Sequence, residues 1–140
     1  MHDILSRTVT MKRYRKQNKY FNKKITVNGE TFDSEKEYRR YRELLLLEKA
    51  GAITDLQRQV KFVLIPTQYE TYERYGKRGQ RLKDGRKCIE RGVDYYADFV
   101  YIENGKEVVE DTKSKATKTE SYKIKKKLML YVHGISVREI

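Results

Sequence analysis

The 140-residue sequence has little of what disulfide-bonded or thiolate-metal proteins need: it contains one cysteine, two histidines, one proline and no tryptophan. The single Cys88 excludes an internal disulfide and a zinc site built from thiolates. His2 and His133 are too few and too far apart in the chain to form a histidine-based site. Any metal chemistry must therefore use oxygen ligands, which suits Mg²⁺ or Mn²⁺.

Long hydrophobic runs are also missing. No segment approaches the roughly 18 consecutive apolar residues that a membrane-spanning helix needs, and the N-terminus lacks the apolar stretch of a signal peptide. We therefore expect an intracellular protein that is neither secreted nor inserted into a membrane.

Positive charge is what the sequence has in excess. There are 32 lysines and arginines against 20 acidic residues, which gives a net charge of +12. Such an excess favours a polyanionic partner, because binding releases condensed counterions. Nucleic acid is the first candidate, and a membrane surface is the weaker one.

The chain divides into a basic arm over residues 1–30 and one domain over residues 31–140. Residues 4–29 contain eight basic side chains and no acidic one. This composition predicts either a solubilising tail or an arm that lies on a phosphate backbone. A short hairpin over residues 25–32 would lead into the domain, which is large enough for a core of its own.

The domain has the pattern of an α/β (α+β) protein with the order α-β-β-β-α-β. A helix is predicted from Ser34 to about Ala50, a strand over residues 56–65, and a hairpin over residues 93–113. A second helix is predicted over residues 119–132 and a last strand over residues 135–140. Residues 67–92, which combine three tyrosines with eight basic residues, are predicted to be an inserted charged loop or loose hairpin. Aromatic rings among basic groups also suit stacking on unpaired bases.

Helical periodicity predicts which side chains of the two helices face the sheet. In the first helix these are Tyr38, Tyr41, Leu44 and Leu45. In the second they are Ile124, Leu128, Tyr131 and Val132. Leu46 and Leu47 point away from the predicted core and suit a contact between two copies of the chain.

The most informative feature is an Asn104-Gly105 turn between two strand-like runs. A two-residue turn of this kind fixes the register of a hairpin, and counting outward from it places Asp98 directly opposite Asp111. Opposed side chains share one face of the sheet, with Cβ atoms about 5 Å apart. Two like charges there are destabilising unless a cation lies between them, and a divalent metal meets that need.

The residues around this acidic pair fit phosphodiester hydrolysis, which needs charge neutralisation and an activated water. Asp98 and Asp111 are the predicted metal ligands, completed by the backbone carbonyl of Thr112. Strand alternation places Lys113 on the face of Asp111 and Thr112 on the other. Lys113 is then positioned to orient or deprotonate water, or to stabilise charge in the transition state.

Glu37 has two interpretations, which we treat as mutually exclusive. As the fourth residue of Ser34-Glu35-Lys36-Glu37, it fits a capping box at the start of the first helix. On the sheet-facing side of that helix, its carboxylate also needs a cation or a hydrogen-bonding partner. Binding the metal, directly or through water, would supply one.

Together these residues resemble the PD-(D/E)XK nuclease superfamily. The resemblance covers Thr31 to Ile140 and rests on Tyr96-Ala97-Asp98, on Glu110-Asp111-Thr112-Lys113 and on a preceding helix that carries a glutamate. In that pattern Asp98 is the motif aspartate, Asp111 the second acid and Lys113 the lysine, and Glu37 is the helix-borne glutamate. Ala97 stands where the motif has proline.

Small phage-encoded endonucleases related to Holliday junction resolvases are the members that the chain resembles. The resemblance implies a restriction-endonuclease-like core with a mixed sheet flanked by helices. It also implies a Mg²⁺-dependent endonuclease that cuts branched or four-way-junction DNA in phage recombination or replication, in the host cytoplasm if a phage encodes it. Resolution of a junction requires two symmetric cuts, so a homodimer is expected.

Other charged residues receive less specific predictions. Glu110 is expected to pair with a lysine or arginine on the opposite face, Asp94 lies about 13 Å from Asp98 along the strand, and Gln59 is within possible reach of the site. The residues predicted to contact DNA are Lys115, Lys118, Lys123, Lys126, Arg78 and Arg81.

Two alternatives remain open at this stage. One is a nicking, restriction-like or end-processing nuclease with the same fold. The other is a non-catalytic, basic nucleic-acid-binding module. Phosphate binding explains the charge of +12 but gives no reason to oppose two aspartates.

Overall fold

The computed structural model describes residues 23–140, so most of the predicted basic arm lies outside the described residues. The elements, in chain order, are β1 (Ile25–Val27), β2 (Glu30–Phe32), α1 (Glu35–Lys49), β3 (Thr54–Ile65), β4 (Gln68–Tyr75), β5 (Arg81–Glu90), β6 (Val93–Glu103), β7 (Lys106–Asp111), α2 (Glu120–His133) and β8 (Arg138–Glu139). A short 3-10 turn, Lys115–Thr117, precedes α2.

The central sheet has the strand order β3-β6-β7-β8. The first two pairings are antiparallel, whereas β7 and β8 are parallel, so the sheet is mixed. This is an α+β fold in the predicted order α-β-β-β-α-β. The inserted residues between β3 and β6 form a separate hairpin, β4 and β5, which is not hydrogen-bonded to the central sheet. None of the helices within residues 23–140 is long and apolar enough to cross a membrane.

Helix α1 begins and ends where its capping residues predict. The Ser34 hydroxyl accepts a hydrogen bond from the Glu37 backbone N–H at 3.1 Å, and Gly51 takes a φ of +78° just beyond the last turn. Leu44 is fully buried, but Leu45 is 41% exposed, so its predicted inward position is wrong. The partly buried Tyr41 ring and Leu44 fill the contact with the sheet instead.

Helix α2 is rotated relative to the prediction. Its buried residues are Tyr122 and Met129, seven positions apart and therefore on one face. Ile124, Tyr131 and Val132 are exposed, and their predicted inward positions are wrong. Apolar residues occur on both sides of this helix, so periodicity alone does not identify the buried side. Leu128 is partly buried against the core, as predicted.

The sheet separates two hydrophobic cores. Val109 and its neighbours pack with Met129 of α2, while the preceding Val108 packs with Leu44 of α1. Because successive residues of a strand point to opposite faces, α1 and α2 cover opposite faces of the sheet. The core on the α2 side comprises Leu64, Tyr95, Ala97, Val100, Val109, Tyr122, Met129 and Val137. That on the α1 side comprises Leu44, Ile53, Phe99 and Tyr101.

A buried ion pair joins α1 to the sheet. Glu110 has no exposed surface, and its carboxylate accepts hydrogen bonds from Arg40 Nε at 2.9 Å and Arg40 Nη2 at 2.7 Å. The Tyr101 hydroxyl donates a further hydrogen bond to it. The prediction that Glu110 pairs with a basic residue on the face opposite the aspartates is confirmed. Glu110 therefore has a structural role.

Replacing Arg40 should destabilise the fold strongly. In Arg40→Leu the Glu110 carboxylate stays buried without its bidentate partner, which should lower the free energy of unfolding by about 3 kcal/mol. Urea denaturation followed by circular dichroism measures this. Glu43→Gln is the matched control, because it removes only the exposed partner of Arg40 and should cost about 0.5 kcal/mol or less. Equal stability of Arg40→Leu and wild type would contradict this role.

Candidate active site

The predicted register brings the two aspartates together. Phe99 pairs with Glu110 across β6 and β7, and Asp98 and Asp111 are the next residues outward. Asp111 is 1% exposed and Asp98 is half-buried. The Asp98 carboxylate accepts a hydrogen bond from the backbone N–H of Thr112, which directly follows Asp111, so the two acids are neighbours, and Asp98 raises the pKa of Asp111.

At Asp98 the regular alternation of side chains along β6 is interrupted. Ala97 and Phe99 are two residues apart, so strand alternation predicts that they face the same side of the sheet. Instead Ala97 packs in the core on the α2 side, and Phe99 packs in the core on the α1 side. On the neighbouring strand, Gln59 has a φ of +50°, which is unusual for a residue other than glycine. Sparsely populated backbone conformations of this kind concentrate at functional sites. This inversion of the side-chain alternation in β6 places the candidate site at an irregularity that the sequence pattern does not predict.

Asp111 is held in a low-polarity environment. The Tyr95 hydroxyl donates a hydrogen bond to its Oδ2 at 2.7 Å, and Lys113 Nζ lies 3.1 Å from the same oxygen. Its Oδ1 is buried and has no hydrogen-bonding partner within the part of the chain that the structure describes. Burial, followed by the neighbouring Asp98, raises the pKa of Asp111 to about 7. A buried carboxylate with an unpaired oxygen lacks a cation or donor at that point.

Asp98 has more hydrogen-bonding partners than Asp111. Its Oδ2 accepts from the Thr112 backbone N–H at 2.8 Å and from the Thr112 hydroxyl at 2.7 Å, while Oδ1 accepts from Gln59 Nε2 at 3.3 Å. The predicted placement of Thr112 on the opposite face is wrong, because β7 ends at Asp111 and alternation no longer applies beyond it. The part of the Thr112 carbonyl as a metal ligand stays a prediction.

The two carboxylate oxygens of Glu37 have different partners, one at the start of α1 and one at the candidate site. One carboxylate oxygen, Oε2, accepts a hydrogen bond from the Asp33 backbone N–H at 2.9 Å, one residue before the expected Ser34. The other, Oε1, accepts from Gln59 Nε2 at 3.1 Å. One oxygen thus bonds the start of α1 and the other faces the candidate site, and the expectation that capping and metal binding exclude each other stays a prediction. Burial and the charge of Asp98 raise the pKa of Glu37.

Gln59 thus links the third acid to the pair. Its amide nitrogen lies within hydrogen-bonding distance of Glu37 on α1 and of Asp98 on β6. The sequence placed Gln59 within possible reach of the site but gave no spacing that decided its position. The structure brings all three acids to one end of the β6–β7 hairpin, with Gln59 between Glu37 and Asp98.

Lys113 is positioned by its backbone and by an aromatic ring. Its N–H donates to the Ile140 carbonyl at 3.2 Å, and its own carbonyl accepts from Lys36 Nζ at 2.9 Å. Its ammonium group lies 4.7 Å from the centre of the Tyr122 ring, in the range of a cation–π contact. The side chain is therefore directed to the Asp111 carboxylate.

Three contributors to the site were missed by sequence reasoning: the hydroxyls of Tyr95 and Thr112 and the ring of Tyr122. A buried tyrosine usually places its hydroxyl on a polar partner, so Tyr95 on the same strand as Asp98 offered a usable signal. No sequence signal identified Tyr122, because the orientation of α2 was wrongly predicted.

The donor set suits a hard divalent cation but does not enclose one. Within residues 23–140 no three histidine, cysteine or acidic groups are arranged to hold a metal ion among themselves. Mg²⁺ is commonly held by one or two carboxylates and keeps several waters. The unpaired Oδ1 of Asp111, beside a second carboxylate, fits that mode of binding.

The residues predicted to contact DNA differ in their pairing. Lys118 and Lys126 both pair with Glu139, Lys123 pairs with Glu120, and Arg81 pairs with Asp84. Lys115 and Arg78 have no carboxylate within 4 Å among the described residues. All six remain predicted DNA contacts.

Asp111→Asn tests the fit of a metal to the site. In EDTA this variant should be at least as stable as wild type, because it removes a buried charge next to Asp98. Mg²⁺ at about one hundred times its Kd should stabilise the wild type by about 2.7 kcal/mol and leave Asp111→Asn unchanged. Thermal unfolding with and without Mg²⁺ measures both effects.

Asp94→Asn is the matched control, since Asp94 pairs with Lys61 outside the site. It should keep the full response to Mg²⁺. An identical response in Asp111→Asn would show that Asp111 binds no metal.

The comparisons give a family but no characterised relative. The family model described as Protein of unknown function (DUF1064) matches residues 17–137. No curated protein matches the chain, and no solved structure matches it.

Proposed function

The chain belongs to the family described as Protein of unknown function (DUF1064), and from its site we propose that it is a metal-dependent DNA endonuclease that hydrolyses phosphodiester bonds. The observation that carries this proposal is the buried Asp111, with Oδ1 unpaired and Lys113 at 3.1 Å, next to Asp98. A stable fold has little use for an incompletely paired carboxylate beside a second one.

In the proposed enzyme, Asp98 and Asp111 hold Mg²⁺ (or Mn²⁺), with Glu37 and the Thr112 carbonyl as further candidates. When bound, the metal supplies charge neutralisation at the scissile phosphate and a more acidic water. Among residues 23–140, Lys113 is the only cation within 4 Å of the Asp111 carboxylate, and it is directed there by the Tyr122 ring. Its ammonium group stabilises the negative charge that develops on the phosphate oxygens.

Gln59 acts as a positioning residue in this proposal, and Glu37 supports Gln59 besides being a candidate ligand of the metal. The Gln59 amide bonds both Glu37 and Asp98, and Glu37 is fixed to the start of α1 through the Asp33 N–H. Asp98 is thereby oriented from both sides, by Gln59 and by Thr112. Such support holds a binding residue within the narrow range of geometry that catalysis needs.

The finer proposal is that the substrate is branched DNA, such as a four-way junction, and that the enzyme acts as a homodimer. The substrate preference is supported by the resemblance to junction resolvases, and so is a role in phage recombination or replication. The dimer is further supported by Leu46 and Leu47 on α1, which are 68% and 38% exposed.

A non-catalytic DNA-binding protein is the second candidate, and one observation favours it. Asp98 accepts three hydrogen bonds, from Thr112 and Gln59, so its charge is stabilised by protein groups alone. The unpaired Oδ1 of Asp111 has no such explanation in a binding module. For that reason the nuclease is the better-supported function.

A cleavage assay tests the function directly. With Mg²⁺ or Mn²⁺ the wild type should cut DNA, and EDTA should abolish the activity. Asp98→Asn, Asp111→Asn and Lys113→Met should each lower the cleavage rate at least about 100-fold. Asp94→Asn should leave the rate unchanged, because it removes one carboxylate outside the site.

DNA affinity should separate the catalytic from the binding role. Asp111→Asn should bind DNA as tightly as wild type or more tightly, since it removes a charge that repels phosphate. DNA binding in EDTA, together with no cleavage of any DNA by the wild type in either metal, would establish the binding module instead.

Substrate class is measured by comparing a four-way junction, a linear duplex and a single strand. The salt concentration must be constant, because non-specific affinity depends steeply on it. We expect the junction to be cut fastest and at paired positions on opposing strands. Equal rates on junction and duplex would favour a nicking, restriction-like or end-processing nuclease.

A further inference from the structure

The hairpin of β4 and β5, with the turn between them, extends from the domain as an arm. Its strands pair with each other over eight and ten residues and with no strand of the central sheet. Of the residues in these strands, Gly85 alone is buried. An isolated two-stranded hairpin is at best marginally stable in water, so the arm gains little from the core of the domain and is available to a partner.

The root of the arm is fixed relative to the candidate site. The Gly92 N–H donates to the Thr67 hydroxyl at 3.0 Å, and a Cβ at Gly92 would lie 2.5 Å from the Ile65 carbonyl oxygen. The chain therefore crosses itself closely where it leaves the sheet. Val93 is five residues before Asp98 on β6, a distance of about 17 Å along the strand. A DNA strand that lay along β6 from the site would reach the arm after about five nucleotides.

One face of the arm carries two pairs of a tyrosine and an arginine. The Arg86 guanidinium lies 4.0 Å from the centre of the Tyr69 ring, and the Arg81 guanidinium lies 5.8 Å from that of Tyr75. These tyrosines are 47% and 59% exposed. Six residues separate them on one strand, so they share a face and lie about 20 Å apart.

Tyr72 lies on the other face and has a structural explanation. It pairs with Gly85, and a Cβ at Gly85 would lie 2.3 Å from its ring. Its ring therefore covers the glycine backbone and supports the hairpin. No comparable packing explains Tyr69 or Tyr75, whose ring partners are the exposed Arg86 and Arg81.

The charge of the arm fits a polyanion. Residues 67–92 contain eight lysines and arginines and four acidic residues. Within the described residues only Arg81 among these eight has a carboxylate within 4 Å. The other seven are Arg74, Lys77, Arg78, Lys83, Arg86, Lys87 and Arg91. Cations that no described carboxylate neutralises, next to exposed rings, suit a nucleic acid strand.

We propose that the arm binds unpaired bases of DNA through Tyr69 and Tyr75, next to the strand held at the candidate site. This inference rests on the proposed function and narrows its substrate to branched DNA that also carries unpaired bases, in a gap, an overhang or a displaced strand. Ring faces stack on bases only where the bases are not paired within a duplex. The neighbouring arginines contribute phosphate contacts and cation–π stacking.

Equilibrium binding of the full chain in EDTA tests the proposal without cleavage. The two labelled probes are a duplex and the same duplex with a single-stranded gap, compared by fluorescence anisotropy at one salt concentration. The double variant Tyr69→Leu, Tyr75→Leu should lose about 20-fold or more in affinity for the gapped DNA, about fivefold per ring. Its affinity for the duplex should not change.

Tyr131→Leu is the matched control. Tyr131 is 88% exposed on α2, so its replacement removes an exposed ring elsewhere and should alter neither affinity. Equal affinity of the double variant and wild type for gapped DNA would overturn the proposal. An equal loss on both probes would also overturn it, since the arm would then bind duplex.

A fluorescence measurement avoids reliance on a destabilised hairpin. The chain has no tryptophan, so Tyr75→Trp introduces a single reporter that keeps an aromatic face. Gapped DNA should quench its emission and duplex should not, while Tyr131→Trp should respond to neither. Unchanged emission of Tyr75→Trp on gapped DNA would overturn the proposal even if the double variant were unfolded.

The two proposals fail separately. Binding of gapped DNA through the tyrosines without cleavage of any DNA by the wild type would reject the nuclease and retain the arm as a DNA-binding element. Metal-dependent cleavage with tyrosine-independent binding would reject the arm and retain the nuclease.

Discussion

The close approach of two carboxylates at the end of the β6–β7 hairpin is the constraint on which the candidate site depends. Asp98 and Asp111 are opposed by the register of that hairpin, and burial leaves Asp111 with a pKa of about 7. Tyr95, Lys113 and Thr112 offset part of the electrostatic cost. The remaining unpaired oxygen is the physical reason to expect a cation there.

The two faces of the sheet use acidic residues in opposite ways. On the α1 face, Glu110 is completely paired by Arg40 and Tyr101 and connects a helix to a strand. On the other face the adjacent Asp111 is incompletely paired. Consecutive residues of one strand thus separate a structural carboxylate from a candidate functional one, because alternation sends them into different environments.

The arm and the site share the same two strands. β3 carries Gln59 and β6 carries Asp98. β4 follows β3 in the chain and β5 precedes β6, so the arm joins the sheet at one end of these two strands. In the proposed enzyme, chemistry and substrate choice are therefore separated along these strands, with the site on the packed domain and the tyrosines on a hairpin outside it. At the root of the arm, the chain at Gly92 lies against the Ile65 carbonyl so closely that a side chain there would not fit.

The sequence by itself determined the element order, the capped ends of α1 and the register that opposes Asp98 to Asp111, because turn and capping chemistry act over a few residues. Only the tertiary structure decided the rotation of α2, the inversion at Asp98, and the contacts of Tyr95, Thr112 and Tyr122. These depend on how distant elements pack, and apolar residues on both sides of α2 left that packing ambiguous in the sequence. Local hydrogen bonding is encoded in short patterns, whereas the choice of buried face is made by the whole sheet.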